Sequence, residues 1–282
     1  MRVLIVNTSE KTGGAAVASK RLVEALNNNG IKAKMLVRDK ETDDITTVEL
    51  RHSPWHQWHF LWERWCVFCN LHFSHKNLFA IDIANSGTDI TSLREFQEAD
   101  LIHLNWVNQG MLSLSSIRHI LDSGKPVVWT MHDLWPASSI CHYAGECDHY
   151  QRKCGNCPLL PGGGSPHDLS YKVWKKKKAI LSSRNIMFVA CSRWLESQAK
   201  ESSLLVGQKI TSIPNAIDTH MFRPMDKAEA RVRAGLPEQG KIILFVSQRV
   251  TDERKGMKYL VESVRILVEK HPEISGNTRR AL

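Results

Sequence analysis

The sequence predicts an α/β fold in which helices cover both faces of a parallel sheet. Short apolar segments alternate with helical segments along residues 1–217, as expected for parallel strands joined by crossover helices. The apolar segments are continuous runs, which is typical of strands buried on both faces. The first of them is followed by a loop ending in Gly13-Gly14 and then by a helical segment, the arrangement that opens doubly wound folds.

The predicted elements follow one another in a regular order. Strands are predicted over residues 2–7, 31–37, 100–107, 127–131, 186–191 and 209–213. Helices are predicted over residues 15–28, 112–123 and 171–181, and another begins after Ser192, which is its predicted N-cap. Residues 218–240 are predicted as a linker with a charged helix over 227–234. A buried strand over 241–247 and a helix over 257–270 indicate that residues 241–282 begin a second domain.

The composition is that of a globular protein with an anionic partner. Hydrophobic residues make up 42% and charged residues 24% of the 282 residues, and the formal net charge is +9. This excess favours nucleotide phosphates, a lipid surface or nucleic acid. Nucleic acid is the least favoured, because no zinc-finger helix, RNP motif or helix-turn-helix pattern is present. The sequence shows no membrane span or secretory signal, so we expect a cytoplasmic protein, with peripheral contact at the inner face of the membrane left open.

Residues 55–79 are rich in aromatic side chains, and Trp58, Trp62 and Trp65 fall on one face of a predicted helix. Two interpretations remain open. The segment is a helix packed on the domain, or it is a surface helix that meets a lipid surface or lipid-like acceptor, since Trp beside cations suits a membrane interface. The first interpretation is favoured, because so short a pattern discriminates poorly between the two.

Four of the seven cysteines are concentrated in one loop, at positions Cys141, Cys147, Cys154 and Cys157. The Cys-x2-Cys pair and the two neighbouring thiols could hold a structural Zn²⁺ ion, with His142 and His149 as alternative ligands. Disulfides and plain buried thiols are the competing interpretations, and the lack of a secretory signal disfavours disulfides. Zinc is the favoured interpretation, and it would pin the loop rather than take part in catalysis.

Polar side chains follow two of the predicted strands at their carboxyl ends. His132 and Asp133 come directly after one buried strand, and Asn105 lies near the end of the preceding strand. Doubly wound folds bind ligands at this edge of the sheet, so all three residues are candidates for contacting a ligand. Gly13 and Gly14 allow the backbone to approach an anion at a helix N-terminus, although a tight turn that needs positive φ explains them equally well.

These features and five stretches of sequence resemble retaining glycosyltransferases of family 4, which have the GT-B fold of two facing Rossmann-like domains. The stretches are the first strand with its glycine loop and the segments at 100–106, 130–133, 213–224 and 249–256. The cysteine segment resembles that of a bacterial subgroup that builds surface polysaccharides. The resemblance implies a complete N-terminal Rossmann-like domain over 1–217 and a second Rossmann-like domain that has only begun at 241–282.

The resemblance also implies a function and a donor site. It implies transfer of a sugar, with retention, from a nucleotide-sugar donor to a glycan or lipid-linked acceptor in polysaccharide biosynthesis. In the family, an Arg and a Lys of the second domain neutralise the diphosphate of the donor, and Arg249 and Lys255 match them. Gly13 and Gly14 match the family's loop near the diphosphate and acceptor. No catalytic metal is expected, and no side-chain nucleophile is required for retention.

One position departs from the family. Asn105 stands where such sequences usually have a histidine, and its amide can bind a sugar hydroxyl but cannot take a proton. His132 and Asp133 are therefore the better candidates for contacting the sugar or the acceptor.

Two alternative functions remain open. The chain ends before the glutamate pair that contacts the donor in the family, so we expect this polypeptide alone to be inactive or nearly so. It would then act, if at all, as a binding module derived from a truncated transferase. A different Rossmann protein, such as a nucleotide-sugar epimerase or dehydrogenase, would carry GxGxxG and an acidic ribose ligand after the second strand. Neither feature is present.

Overall fold

The computed structural model describes residues 1–50, 54–182, 184–247 and 250–271. The chain divides into two compact units, Met1–Phe222 and Arg223–Leu282. The first unit contains a seven-stranded sheet in which every strand pairing is parallel. It confirms the predicted α/β class and the Rossmann-like N-terminal domain. The finer division into residues 1–217, a linker and residues 241–282 stays a prediction.

The strands follow the apolar segments of the sequence closely. They are β1 (Arg2–Ser9), β2 (Lys32–Asp39), β3 (Thr47–Glu49), β4 (Leu101–Leu104), β5 (Val127–Met131), β6 (Met187–Ala190) and β7 (Lys209–Ser212). Strand β3 was not predicted, because its residues lie at the end of a polar loop. It extends the sheet by pairing with β2, Thr47 beside Met35 and Val48 beside Leu36.

The helices of the first unit connect these strands. They are α1 (Gly14–Asn28), α2 (Pro54–Asn70), α3 (Arg94–Glu98), α4 (Leu114–Asp122), α5 (Leu169–Leu181) and α6 (Arg193–Lys200). The side chains of Ser113, Asp168 and Ser192 accept a backbone N–H of the first turn of α4, α5 and α6. The prediction of Ser192 as an N-cap is confirmed, and Asp168 explains why α5 begins before the predicted residue 171.

The order of the strands in space is β3-β2-β1-β4-β5-β6-β7. The order reverses between β1 and β4, so the connections after these two neighbouring strands run in opposite directions. A crevice therefore lies between the two connections, beyond the carboxyl ends of β1 and β4. On one face of the sheet, buried side chains form a row in register: Val6 beside Leu104, Leu104 beside Trp129 and Trp129 beside Phe188. On the opposite face a smaller cluster around Ile5 packs with residues of α1.

Helix α2 packs on the domain through an unpredicted face. Glu63, Arg64 and Val67 are buried, whereas three tryptophans are 54%, 43% and 54% exposed: Trp58, Trp62 and Trp65. The interpretation of α2 as a helix packed on the domain is confirmed, and the tryptophan face is left largely exposed. The charged pair fixes the rotation of the helix, because its partners, Asp82 and the backbone of residues 78–84, lie inside the domain.

The described residues of the second unit contain α7 (Lys227–Arg233), a 3₁₀ turn (Glu253–Lys255) and α8 (Met257–Lys270). Both predicted helices are confirmed. The strand predicted over 241–247 is wrong, because these residues have no regular secondary structure and most are exposed. A strand needs a hydrogen-bonding neighbour, and the described part of this unit contains no strand that could provide one.

The orientation of α2 can be tested with two aliphatic residues of the same helix. We expect Val67→Ala to lower the free energy of unfolding by about 1–3 kcal/mol, because it removes fully buried methyl groups and leaves a cavity. Leu61→Ala removes a larger side chain, but Leu61 is 58% exposed, so we expect a change below ~0.5 kcal/mol. Denaturant unfolding measures both values. A larger effect of Leu61→Ala would contradict the orientation.

Candidate functional site at the carboxyl edge of the sheet

Polar side chains join the two strands that flank the crevice. Asn7 Oδ1 accepts the backbone N–H of Trp106 at 3.0 Å. The Thr8 hydroxyl is shared between the carbonyls of Trp106 and Asn108, at 3.0 and 2.9 Å. Backbone bonds continue here as well, from Asn105 N–H to the Val6 carbonyl at 2.9 Å and from Thr8 N–H to the Trp106 carbonyl at 2.8 Å. The chain after Leu104 is therefore held against the end of β1, although regular β4 ends at Leu104, earlier than predicted. These bonds also fix the position of Asn105, the next residue along the chain.

Two predicted site residues, Asn105 and His132, are hydrogen-bonded to each other, with His132 Nε2 2.9 Å from Asn105 Oδ1. Because Oδ1 can only accept, Nε2 carries the proton and the lone pair of the neutral ring lies on Nδ1. Burial lowers the pKa of His132, against the opposing effect of the Asp133 carboxylate, so the ring is neutral near pH 7. Asn105 Nδ2 is buried and has no hydrogen-bond partner among the residues that the structure describes. The pair combines a neutral imidazole with an amide donor that lacks an acceptor.

Both carboxylate oxygens of Asp133 form hydrogen bonds within the protein. Its Oδ2 accepts the indole N–H of Trp106 at 2.9 Å and lies 2.8 Å from His142 Nδ1, and its Oδ1 accepts the backbone N–H of Trp135 at 2.9 Å. Burial favours the protonated acid, but His142 and these hydrogen bonds outweigh it and lower the pKa of Asp133. Burial likewise disfavours a charged ring at His142, but the Asp133 carboxylate outweighs it and raises the pKa of His142. The two side chains therefore form a buried ion pair.

The glycine turn lies beyond the end of β1, at the same edge of the sheet. Gly13 is the N-cap of α1 with φ at 90°, and no heavy atom lies within 4 Å of the Cβ position of either Gly13 or Gly14. The helix has no side-chain cap at this end and no acidic residue in its first turn. Its first N–H groups therefore keep the partial positive charge that attracts an anion. The positive φ at Gly13 agrees with the tight-turn interpretation, and anion binding at the glycines stays a prediction.

The two cations expected at the donor diphosphate belong to the second unit. Arg249 lies outside the described residues. Lys255 is exposed and ends the 3₁₀ turn that Asp252 caps. Their placement beside the residues of the first unit stays a prediction.

A cluster of buried ionisable side chains lies near the site, and it was not predicted. Burial and the neighbouring Asp82 carboxylate raise the pKa of Glu63 well above its ordinary value, which favours its neutral form. Arg64 Nη2 lies 3.3 Å from Asp82 Oδ2 and 3.6 Å from Glu63 Oε1, and all three residues are almost fully buried. Asp82 Oδ2 also accepts the backbone N–H of Gln109, and the Asp82 carbonyl accepts the indole N–H of Trp135. The cluster thus ties α2 to the segments that follow β4 and β5. Its only signal in the sequence is a Glu-Arg pair inside an apolar helix.

The four loop cysteines line one small cavity, together with His149. All four are free thiols. Over the described ranges of the chain, no three His, Cys, Asp or Glu side chains are arranged to hold a metal ion. His142, an alternative zinc ligand in the sequence analysis, is instead the partner of Asp133.

The domain is Rossmann-like: it has a parallel sheet with a crevice at its switch point, polar side chains on both flanking segments and a glycine turn at a helix N-terminus. Domains of this class bind ligands at the carboxyl edge of the sheet. The sequence model of Glycosyltransferase Family 4 matches residues 12–221 of this chain. The chain therefore belongs to glycosyltransferase family 4, whose members transfer a sugar from a nucleotide-sugar donor to a glycan acceptor. No curated protein matches the chain significantly. None of the described helices is long and apolar enough to cross a membrane.

The Asp133–His142 pair predicts a pH-dependent stability. Because the pKa of His142 is raised, its contribution is complete below its ordinary value of 6.5 and is lost as the pH rises through the folded-state pKa. Because the pKa of Asp133 is lowered, its contribution is complete above 3.8 and is lost as the pH falls. We therefore expect His142→Gln to destabilise the protein more at about pH 5.5 than at about pH 9 in denaturant unfolding.

The control is the same substitution in an Asp133→Asn background. Without the carboxylate, burial is the largest effect on the pKa of the ring and lowers it, so His142→Gln should no longer destabilise the protein more at the lower pH. A destabilisation that grows with pH in the otherwise unchanged chain would contradict the ion pair.

Proposed function

We propose that this protein transfers a hexose, with retention, from a nucleotide sugar to a glycan or lipid-linked acceptor in polysaccharide biosynthesis. The observation that carries the proposal is the family match over residues 12–221, which includes the polar residues at the carboxyl edge of the sheet. The likeness of the cysteine segment to the surface-polysaccharide subgroup supports this class of acceptor.

His132 and Asn105 are proposed to bind hydroxyl groups of the sugar or the acceptor. An acceptor hydroxyl loses its proton as the new glycosidic bond forms, and a neutral imidazole can take that proton. Its neighbour Asn105 supplies an amide N–H that has no acceptor within the described residues. Asp133 is proposed as a positioning residue, because its oxygens already hold Trp106, His142 and the backbone at Trp135.

The donor diphosphate is proposed to bind near Gly13 and Gly14 and to be neutralised by Arg249 and Lys255. The leaving diphosphate gains negative charge in the transition state, and fixed cations and helix N–H groups stabilise such charge. The net charge of +9 agrees with an anionic substrate. No metal ion is required at the diphosphate in this proposal.

The alternative proposal is a binding module that holds an acceptor or partner without transferring a sugar. It is favoured by the second unit, whose described residues contain no strand and therefore lack a sheet against which a nucleotide could bind. Calorimetry with nucleoside diphosphates and an assay for their release from nucleotide sugars separate the two functions. The absence of both binding and release supports the module, and release supports the transferase.

The role of His132 can be tested by substitution. In an assay of nucleoside diphosphate release with a panel of donors and acceptors, we expect His132→Ala to lower the rate by about 10²–10⁴-fold, the range for loss of a general base. His119→Ala changes an exposed histidine on α4 and should leave the rate unchanged. Equal rates of release in both variants would contradict the proposed role.

The exposed aromatic face of α2 is proposed as the contact for a lipid-linked acceptor or an anionic membrane surface. Trp58 and Trp62 stack with their ring centroids 6.2 Å apart, and Trp65 extends the patch with centroids 6.1 Å from Phe68 and 6.5 Å from Phe73. Contiguous exposed aromatic patches mark interaction sites, and Trp is well suited to the boundary between lipid and water. The net positive charge adds attraction to anionic lipids.

Sedimentation with vesicles of anionic phospholipid tests this contact. We expect the triple variant Trp58→Ser, Trp62→Ser and Trp65→Ser to bind at least about tenfold more weakly, which corresponds to about 1.4 kcal/mol of lost interfacial contact. Trp194→Ser removes a tryptophan that is 59% exposed on α6 and serves as the matched control. Unchanged binding of the triple variant, or an equal loss in the control, would refute the contact.

A further inference from the structure

The segment between β5 and α5 is buried in part but has little regular structure. Residues 132–168 contain only the short 3₁₀ turns His149–Gln151 and Pro161–Gly163 among their described helices and strands. Even so, Tyr150, Cys154 and Cys157 are less than 10% exposed. Irregular connections of this length are uncommon in compact domains unless they have a function or an added constraint. The thiols of this segment are the side chains best suited to supply an added constraint.

We propose that the cavity formed by Cys141, Cys147, Cys154 and Cys157 binds one Zn²⁺ ion through the four sulfur atoms. All four residues line this cavity, which leaves about 20 Å³ for the centre of a water-sized occupant. That volume is enough for a single small occupant. No three of these side chains are arranged to hold a metal ion in the described chain, so the proposal requires the thiols to reorient toward the cavity. The ligand type and number are those of structural zinc sites.

The Cys-x2-Cys turn is held in shape from outside the cavity. Gly155 and Asn156 have φ values of 152° and 47°, so both bridging residues adopt positive φ. The backbone N–H of Cys157 donates to Asp168 Oδ2 at 2.9 Å. A Cβ at Gly155 would lie only 2.7 Å from the carbonyl oxygen of Pro166. Two of the proposed ligands are therefore pre-positioned by the segment that leads into α5.

His149 supports a metal rather than a purely apolar cavity. Its Nδ1 lies 2.8 Å from the carbonyl oxygen of Gly155, so Nδ1 donates and the lone pair of the neutral ring lies on Nε2. Histidines that bind metals are oriented by this kind of hydrogen bond to a backbone carbonyl. His149 lines the same cavity as the thiols, so a set of three cysteines and His149 is the alternative ligand set.

Metal analysis of the purified full chain tests the proposal. We expect about one zinc per chain after gel filtration, and near-complete loss of zinc in the double variant Cys154→Ser, Cys157→Ser. The matched control is Cys66→Ser, Cys69→Ser, which removes a pair with the same spacing from α2 and should keep its zinc. His149→Gln should also keep its zinc, and loss there would overturn the assignment of four cysteines in favour of His149.

A second measurement on the unchanged chain does not depend on the folding of variants. After removal of metal with a chelator and addition of Co²⁺, we expect thiolate-to-cobalt charge-transfer absorption that disappears when Zn²⁺ is added. The absence of both zinc and this absorption would overturn the proposal, whether the four cysteines are then found as free thiols or as disulfides. Zinc retained in the Cys154/Cys157 double variant would overturn it as well.

Discussion

The parallel pairing of β1 with β4 is the constraint on which the site depends. The strand order reverses at this pair, and the register sets Val6 beside Leu104. Beyond Leu104, backbone bonds at Asn105 and Trp106 are joined by bonds from the side chains of Asn7 and Thr8. These bonds place Asn105 where it meets His132 at the end of β5. A ligand site at this edge therefore follows from the connectivity of the sheet together with a few polar side chains.

Buried charges then hold the surrounding segments in place. Burying an ion is costly unless it is paired and hydrogen-bonded, and both the Asp133–His142 pair and the Glu63–Arg64–Asp82 cluster meet that condition in large part. Such groups contribute little net stability when complete, but loss of one partner leaves the other charge uncompensated. We attribute to them the selection of one arrangement of α2 and of the segments after β4 and β5.

Trp135 connects this charged network with the cysteine segment. Its indole N–H donates to the Asp82 carbonyl, and its own carbonyl accepts from Lys177 Nζ at 2.6 Å, which also lies 3.2 Å from the centroid of its ring. One aromatic residue thus links the support of the sheet-edge site, the helix α5 and the thiol cavity. Closure of that cavity around an ion would stabilise the segment that carries Asp133 and Trp135, and this is how a structural metal would serve a transferase without entering its chemistry.

The sequence by itself determined the α/β class, most strands and helices, the Ser192 cap and the polar residues at the strand ends, because these depend on local apolar runs, turn residues and capping groups. The rotation of α2, the Asp133–His142 pair and the missing strand at 241–247 were decided only in the tertiary structure. Each of these depends on a partner distant in the chain: a buried charge, a second ionisable group or a neighbouring strand. Local sequence patterns indicate that a residue needs such a partner, but the partner itself can be identified only in the folded chain.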